Sequence, residues 1–206
     1  MAEPIIIDLL RHGEVEGLVS IARGSGTDVP LTADGWKQMD AVSKVLLSEG
    51  TLTAVASSPM PRCADFARHF CIGSAMPLKF LEDMTELDFG AWEGKTAAEI
   101  KEQELLSRFM ENPDGVEIPD GESFNGFSQR VIEAWESWLV DASGEHRLLV
   151  AHGLVIRILL AHLLGLPRSH IWRLALSYGS WSRVSLLQGE QPRLLFFNRE
   201  ATCSPD

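Results

Sequence analysis

The N-terminal part of this chain combines a buried strand with three residues suited to a binding or catalytic site. Residues 5–13 read Ile-Ile-Ile-Asp-Leu-Leu-Arg-His-Gly, an apolar run followed by a cation, an imidazole and a glycine. Such a run, rich in β-branched residues, predicts a strand covered on both faces, as in a parallel sheet. Ligands of open α/β sheets bind just beyond the carboxyl ends of such strands. We therefore expect a site at Arg11, His12 and Gly13.

The same arrangement recurs later in the chain. Residues 148–153 read Leu-Leu-Val-Ala-His-Gly, and a third predicted strand at 53–57 leads into a helix that carries an arginine near its start. Two buried strands that each deliver a His-Gly pair to one edge of a sheet are hard to explain by packing alone. The predicted rim of the site consists of Arg11, His12, Arg62 and His152.

Strands alternate with helices along most of the chain. A helix begins after Thr32 and ends at Gly50, because the apolar residues between them recur every three or four positions. Similar patterns predict a short strand at about 77–80, helices at about 96–111, 122–142 and 154–164, and a C-terminal β region at about 171–197. This alternation indicates an α/β fold with a mostly parallel sheet, as a single domain over residues 1–206.

Composition narrows the classes of partner. The chain has 206 residues, of which 45% are hydrophobic, and a net charge of −11. Because nucleic acids and membrane surfaces are anionic, we expect neither as a partner. The three scattered cysteines predict a reducing compartment without disulfides or zinc, and the lack of a signal segment or apolar span predicts a cytoplasmic protein. A small anionic substrate stays compatible, because a few Arg and His side chains can form a local positive pocket.

The residues at the predicted rim suit an anion. Neutral imidazole is a nucleophile near neutral pH, and guanidinium offers paired donors that match phosphate oxygens. For Arg11 and His12 alone, a buried histidine beside an ion-paired arginine would also explain the sequence, but Arg62 and His152 favour a site. The sequence has no Gly-x-Ser-x-Gly elbow, phosphate loop, dinucleotide fingerprint or acidic metal cluster. We therefore predict an anion pocket with a histidine nucleophile, without metal or cofactor.

Six sequence blocks occur in the order found in a known family. They are Arg-His-Gly-Glu at 11–14, Asp-Val-Pro-Leu-Thr at 28–32, Ser-Ser-Pro-Met-Pro-Arg at 57–62, Glu-Leu-Asp-Phe-Gly-Ala-Trp-Glu-Gly at 86–94, Pro-Asp-Gly-Glu-Ser at 119–123 and Ala-His-Gly at 151–153. With these blocks, the chain resembles the histidine phosphatase superfamily over nearly its whole length. The resemblance implies the phosphoglycerate mutase-like fold, a three-layer α/β/α sandwich with a mostly parallel central sheet.

The resemblance also implies a role for each rim residue. His12 would attack phosphorus and carry the phosphoryl group, while Glu86 would protonate the leaving oxygen and then deprotonate water. Arg11, Arg62 and His152 would bind the phosphate oxygens. Because His12 works best neutral and His152 best protonated, we expect their two pKa values to diverge. Without its sequence block, Glu86 would be interpreted as an ordinary exposed carboxylate.

Within the superfamily, the chain is most similar to α-ribazole phosphatases of cobalamin biosynthesis, through residues 127–131 and 171–199. This similarity implies a small phosphorylated metabolite, α-ribazole 5′-phosphate, as substrate of a phosphomonoesterase. We expect a monomer or a homodimer, and Trp92 as a wall of the pocket. Further expected substrate contacts are Gly13, Ser25 and Ser58.

The chain departs from the family just after its first block. Many members have a phosphate-contacting Asn there, whereas residues 15–18 read Val-Glu-Gly-Leu, so Ser20 or Ser25 would have to replace it. A broad-specificity phosphatase, a phosphoglycerate mutase and a non-catalytic phospho-ligand module are the alternatives. Ala97, where a mutase would carry a lysine, favours hydrolysis. The presence of both the nucleophile and the acid disfavours the binding module.

Overall fold

The computed structural model describes residues 3–17, 22–142 and 144–201, which form a six-stranded sheet flanked by helices. The strands are β1 (Ile5–Arg11), β2 (Ala54–Ser57), β3 (Leu78–Phe80), β4 (His146–Ala151), β5 (Trp181–Leu186) and β6 (Arg193–Arg199). The α-helices are α1 (Ala33–Glu49), α2 (Pro61–Ser74), α3 (Gln103–Glu111), α4 (Phe124–Asp141) and α5 (Gly153–Leu164).

The sheet is mostly parallel. Its strand order is β3-β2-β4-β1-β5-β6. Strands β1 to β4 run parallel to one another, and β5 and β6 are added antiparallel beside β1. Parallel strands place their carboxyl ends at the same edge, so the residues that follow β1, β2 and β4 meet there. The predicted α/β class and mostly parallel sheet are confirmed.

Helices cover both faces of the sheet. On one face, Ile7 and Leu9 of β1 pack in a core with Phe127 of α4 and with α5. On the other face, Leu10 packs with α1 and with Phe66 of α2. Successive side chains of a strand point to opposite faces, so a strand with helices on both sides is apolar at nearly every position. The three-layer α/β/α sandwich is therefore confirmed.

The predicted helix at 96–111 is wrong in its first half. Helix α3 begins only at Gln103, and turns precede it. The side-chain amide of Gln103 donates to the backbone carbonyls of Ala97 and Ile100. Hydrogen bonds of this kind compete with the helical ladder, because they take the carbonyl groups that a longer helix would use.

The C-terminal β region is shorter than predicted. Its expected start at residue 171 lies in a 3₁₀ helix, Arg168–Arg173, and strands occur only at β5 and β6. These two strands extend the sheet beside β1. Among the described residues, no helix has both the length and the apolar character needed to cross a bilayer.

Candidate active site

A cavity of about 430 Å³ lies at the edge of the sheet where β1, β2 and β4 end. Strand β1 delivers Arg11 and His12 to it, and Arg62 projects from the first turn of α2. Glu86 enters from the loop that follows β3. The structure thus brings these four predicted residues into one pocket. His152 lies behind them as the N-cap of α5.

His12 is a neutral imidazole whose tautomer is fixed. Its Nδ1 lies 2.8 Å from the carbonyl oxygen of Gly13. Because a carbonyl only accepts, Nδ1 carries the proton and donates it, which leaves the lone pair on Nε2. Burial and the positive charges of Arg62 and Arg11 lower the pKa of His12 well below its ordinary value. An unprotonated Nε2 is what a nucleophilic histidine requires.

Arg62 links three parts of the site. Its Nε donates to Nδ1 of His152 at 3.1 Å. Its Nη1 donates to the carbonyl of Thr27 at 2.9 Å, and its Nη2 to the carbonyl of Gly24 at 3.0 Å. A guanidinium carries five N–H groups, so donors remain for an oxyanion in the cavity. Arg62 therefore holds the loop at 22–28 and the imidazole of His152 while it lines the pocket.

His152 differs from the expected cationic phosphate ligand. Because its Nδ1 accepts from Arg62, its Nε2 carries the proton and donates to Oγ of Ser58 at 2.7 Å. Burial, followed by the charge of Arg62, lowers the pKa of His152 well below its ordinary value. Burial and arginine charges thus lower the pKa values of both rings, which does not favour the protonated His152 that was expected, and the divergence of the two pKa values stays a prediction. Contact of His152 with phosphate stays a prediction.

Glu86 is a buried carboxyl group held at the start of α5. Its Oε2 accepts from the backbone N–H of Leu154 at 3.1 Å, and its Oε1 from that of Leu87 at 3.3 Å. Burial raises the pKa of Glu86 above its ordinary value, and the hydrogen bond from Leu154 and the charge of Arg62 offset this only in part. A raised pKa retains the acid form at higher pH, as a proton donor requires.

Tyr178 is a site residue that sequence analysis missed. It is the one tyrosine of the chain. Its ring lies against the guanidinium of Arg11, with 3.9 Å between Cζ and the ring centroid, and 5.5 Å from the ring of His12. The backbone N–H of Gly179 donates to the carbonyl of His12, which holds this turn against the end of β1. A tyrosine in a turn of this kind belongs to none of the sequence blocks, so no motif indicated it.

Glu93 holds the loop at 22–28 over the cavity. Its carboxylate accepts from the backbone N–H of Gly24 at 3.0 Å and of Gly26 at 3.2 Å, and from the hydroxyl of Thr27. The same loop accepts two hydrogen bonds from Arg62 on its other side. The carboxylate in the Trp-Glu-Gly end of the sequence block therefore positions a wall of the pocket.

Arg130 of α4 supports the segment that carries Glu86. It forms a bidentate ion pair with Glu122, at 3.0 and 2.6 Å. It also donates to the backbone carbonyls of Asp83 at 2.7 Å, Thr85 at 3.0 Å and Glu86 at 3.2 Å. Charge-assisted hydrogen bonds of fixed fork geometry restrain the backbone that accepts them. Arg130 therefore fixes the position from which Glu86 enters the pocket.

Gly13 and Ser58 have structural contacts in place of the expected cavity contacts. A Cβ at Gly13 would lie 2.1 Å from the carbonyl oxygen of Gly35, so the missing side chain allows the end of β1 to approach α1. Oγ of Ser58 accepts from His152. Neither residue is among the described residues that line the cavity. Their contact with a substrate stays a prediction.

Among the described residues, none is seen to replace the phosphate-contacting Asn that many family members carry just after the first block. Val15 is buried and bridges to Leu31 in the adjoining loop. Ser25 donates its backbone N–H to Leu87 and does not line the cavity within the described residues. Ser20, the other candidate, lies outside the described residues. Whether a serine contacts phosphate therefore stays a prediction.

Much of the remaining cavity wall is apolar. Six of its residues are Phe89, Trp92, Ile100, Leu106, Phe109 and Trp172. The ring of Phe109 meets those of Trp92 and Trp172 edge-on, with centroids 5.8 and 5.5 Å apart. Such a wall suits an apolar or aromatic group on a ligand. The prediction that Trp92 forms a wall of the pocket is confirmed.

The cavity is positively charged although the chain carries a net charge of −11. Its cationic side chains are Arg11, Arg23, Arg62, Lys95 and Arg157. Across residues 3–17, 22–142 and 144–201, no group of three or more His, Cys, Asp or Glu side chains is arranged to hold a metal ion. The local positive pocket expected from the sequence is therefore present, and guanidinium and ammonium groups form it.

Comparison with known proteins decides the family. The model of the histidine phosphatase superfamily, branch 1, matches residues 7–200. The chain belongs to this superfamily. Members of the histidine phosphatase superfamily are phosphatases and mutases. The resemblance found in the sequence blocks is therefore confirmed.

Three relatives illustrate the range of the superfamily. A bifunctional protein of Mycobacterium tuberculosis is 36% identical over 182 residues, which are 87% of this chain and 50% of that protein, so the chain spans about half its length. The "Probable phosphoglycerate mutase GpmB" of Yersinia enterocolitica is 33% identical over 180 residues, covering 85% of this chain and 82% of that protein. The solved α-ribazole phosphatase from Shigella flexneri has a TM-score of 0.83 and 27% identity, covering 98% of this chain and 100% of that one.

Proposed function

We propose that this protein hydrolyses phosphomonoesters through a phosphohistidine at His12. The observation that carries this proposal is the neutral Nε2 of His12, which shares one cavity with the guanidinium of Arg62 and the carboxyl group of Glu86. Phosphoryl transfer needs a nucleophile, positive charge around the phosphoryl oxygens and a proton donor for the leaving group. These three side chains supply them.

In the first step, the lone pair on Nε2 of His12 attacks phosphorus, and the bond between phosphorus and the leaving oxygen breaks. Glu86, whose acid form is favoured by burial, gives its proton to that oxygen, so the alcohol leaves uncharged. Arg11 and Arg62 bind the phosphoryl oxygens, where charge is spread in the transition state. The imidazole becomes cationic, and the Gly13 carbonyl continues to accept from its Nδ1.

In the second step, the carboxylate of Glu86 takes a proton from water. The oxygen of that water attacks phosphorus, the bond from phosphorus to Nε2 breaks, and the electron pair returns to the imidazole. Inorganic phosphate leaves, Glu86 is protonated again and His12 is neutral. Because Nδ1 donates to the Gly13 carbonyl, the ring recovers the tautomer with which it began.

For the leaving group we propose an alcohol that carries an aromatic ring, with α-ribazole 5′-phosphate as the candidate metabolite. The aromatic wall formed by Phe109, Trp92 and Trp172 supports this, and so does the similarity to the Shigella protein. A panel of α-ribazole 5′-phosphate, 3-phosphoglycerate, a sugar phosphate and phosphotyrosine tests it. The highest kcat/KM for α-ribazole 5′-phosphate supports the assignment, whereas similar values across the panel indicate the broad-specificity alternative.

A phosphoglycerate mutase is the second candidate, favoured by the similarity to the Yersinia protein. A mutase would return the phosphoryl group from His12 to phosphoglycerate and not to water. Ala97 lines the cavity at the place where a mutase would carry a lysine, which favours hydrolysis. Release of inorganic phosphate from 3-phosphoglycerate, without formation of 2-phosphoglycerate, would support the phosphatase. Interconversion of the two phosphoglycerates would overturn it.

Chelation should leave the activity unchanged. The proposed reaction places arginine side chains where many phosphoryl-transfer enzymes use metal ions, so EDTA removes nothing that the transition state needs. Rates with a phosphomonoester are measured with and without EDTA and after addition of Mg²⁺, Mn²⁺ or Zn²⁺. A metal-dependent alkaline phosphatase treated in parallel shows that chelation is effective. Loss of activity that a divalent cation restores would contradict the proposal.

An Arg130→Met variant should weaken both the fold and catalysis. Loss of its charged hydrogen bonds is expected to lower the free energy of unfolding by about 1–3 kcal/mol. It should lower kcat more than it raises KM, because Glu86 loses its support while the proposed phosphate ligands remain. Urea unfolding and steady-state kinetics measure the two effects. Arg193→Met, which changes an exposed arginine paired with Glu190, is the matched control. Wild-type stability and kcat in R130M would contradict this role.

A further inference from the structure

Arg157 presents unpaired donors to the cavity. It lies one helical turn beyond Gly153 in α5, a helix that is otherwise largely apolar, and it lines the cavity wall. Its Nε donates to the carbonyl oxygen of Leu174 at 2.9 Å. Among the described residues, neither terminal nitrogen of Arg157 has a hydrogen-bond partner. The bond to Leu174 thus holds the side chain while the other end of the guanidinium stays available.

A second unpaired donor lies close to Arg157. The position that a Cβ of Gly153 would occupy is 3.2 Å from Nη1 of Arg157 and 3.5 Å from Nε of Arg11. Nε of Arg11 is buried and has no hydrogen-bond partner. Burial and the charge of Arg11 both lower the pKa of Arg157, as expected for adjacent cations. The unpaired terminal donors of Arg157, beside the positive charge of Arg11, mark a place where an anion would be stabilised.

The position of Arg157 assigns this anion to the leaving group. Its Cζ lies 5.9 Å from the ring centroid of Trp172, which belongs to the aromatic wall. It also lies near Arg11, beside Gly153, and it interacts electrostatically with Glu86, the proposed proton donor to the leaving oxygen. Arg157 therefore lies between the phosphate-binding end and the apolar wall. A group that it binds would be carried by the alcohol that leaves.

We propose that Arg157 recognises a carboxylate on an aromatic leaving group, so that acidic aryl phosphates are preferred over uncharged aryl phosphates. This rests on the proposed phosphatase function. Guanidinium binds a carboxylate through two parallel hydrogen bonds, and partial burial strengthens the attraction. The alcohol of α-ribazole 5′-phosphate carries no carboxylate, so this preference ranks aryl phosphates against one another and not against that metabolite.

The test compares phenyl phosphate with 3- and 4-carboxyphenyl phosphate and with the uncharged 3- and 4-carboxamidophenyl phosphates. For at least one isomer, the wild-type protein should prefer the carboxylate over the amide by roughly tenfold or more in kcat/KM. In Arg157→Gln this ratio should fall towards one, and Arg157→Lys should retain part of it. Because each ratio is compared between variants, differences in leaving-group chemistry cancel. Arg193→Gln, in an exposed ion pair on β6, should keep the wild-type ratio.

The outcomes separate the two proposals. If phenyl phosphate is not hydrolysed and the protein takes up no phosphoryl group, the phosphatase function fails. If phenyl phosphate is hydrolysed but the wild-type protein shows no preference for either carboxylate, the role of Arg157 is overturned. A uniform loss of kcat/KM for all five substrates in a folded R157Q protein would also overturn it, because Arg157 would then serve the transferred phosphoryl group. Thermal unfolding establishes that the variants are folded, and R157K provides the test if R157Q is not.

Discussion

A His12→Ala variant should lose its phosphatase activity by at least about 10⁴-fold, because the change removes the atom that accepts the phosphoryl group. The wild-type protein, mixed with a ³²P-labelled phosphomonoester and quenched, should carry a label that is stable in alkali and labile in acid. The variant should carry none. The ring of His12 contacts those of His152 and Tyr178, so circular dichroism should establish that the variant is folded.

A histidine away from the cavity provides the control for this experiment. His69 is an exposed residue of α2 and does not line the pocket. His69→Ala should keep both the label and the turnover of the wild-type protein. A folded H12A protein that still becomes labelled would show that another side chain is the nucleophile. The assignment of His12 would then fail, whatever substrate the protein uses.

A Glu86→Gln variant should separate the two halves of the proposed reaction. With 4-nitrophenyl phosphate the leaving group needs no proton, so the variant should release a burst of nitrophenol and then turn over slowly. In the slow phase the variant has no base to activate water, so kcat should fall by about 10²–10⁴-fold. With an alkyl phosphate the burst itself should be slow. Rapid-mixing kinetics distinguish these cases, and Glu82→Gln, at an exposed glutamate of the preceding turn, is the control. Loss of the burst and of turnover in equal measure would contradict the acid–base role.

The pH profile should carry the signatures of both residues. His12 must be neutral to attack, so kcat/KM falls as the pH drops through a pKa that lies well below the ordinary histidine value. Glu86 must be protonated in the first step, so kcat/KM falls as the pH rises through a pKa above the ordinary glutamate value. The optimum should therefore be acidic. With an alkyl phosphate, whose leaving oxygen needs a proton, the wild-type protein should show this alkaline decline and E86Q should lack it.

The same shift of the Glu86 pKa has a consequence for stability. Burial raises the pKa of Glu86 in the folded protein, so ionisation of this carboxyl group destabilises the folded state relative to the unfolded state. The destabilisation is complete at a pH above the raised pKa. At neutral pH, E86Q should therefore unfold at a temperature equal to or above that of the wild-type protein. This advantage should disappear as the pH falls below the ordinary glutamate value.

The rim of the site was predictable because it follows from topology. Parallel strands end at one edge, so apolar runs that end in Arg11-His12 and in His152 had to meet there. Glu86 was different, since it enters from a loop without regular periodicity, and only its sequence block indicated it. The position of the nucleophile therefore follows from the sequence by physical reasoning, whereas that of the acid follows only from the resemblance.

The residues that were missed depend on details beyond strand order. Tyr178 reaches Arg11 because a turn is held by a backbone hydrogen bond to His12. Arg157 reaches the cavity because it lies one turn along α5 from Gly153. To predict this contact, one must know how α5 is rotated about its axis relative to the sheet. The neutral state of His152 depends on which nitrogen of Arg62 faces its ring. A one-dimensional pattern contains none of these orientations.

The hydrogen-bond chain from Arg62 through His152 to Ser58 determines how the pocket should respond to acidity. With both imidazoles neutral, the attraction for an anion comes from guanidinium and ammonium groups, which keep their charge throughout the physiological pH range. Affinity for a phosphate ester should therefore not decline between pH 6 and 8 in the way expected of a pocket that binds through imidazolium. It should instead follow the second ionisation of the ester itself, so that the ligand and not the protein sets the pH dependence of binding.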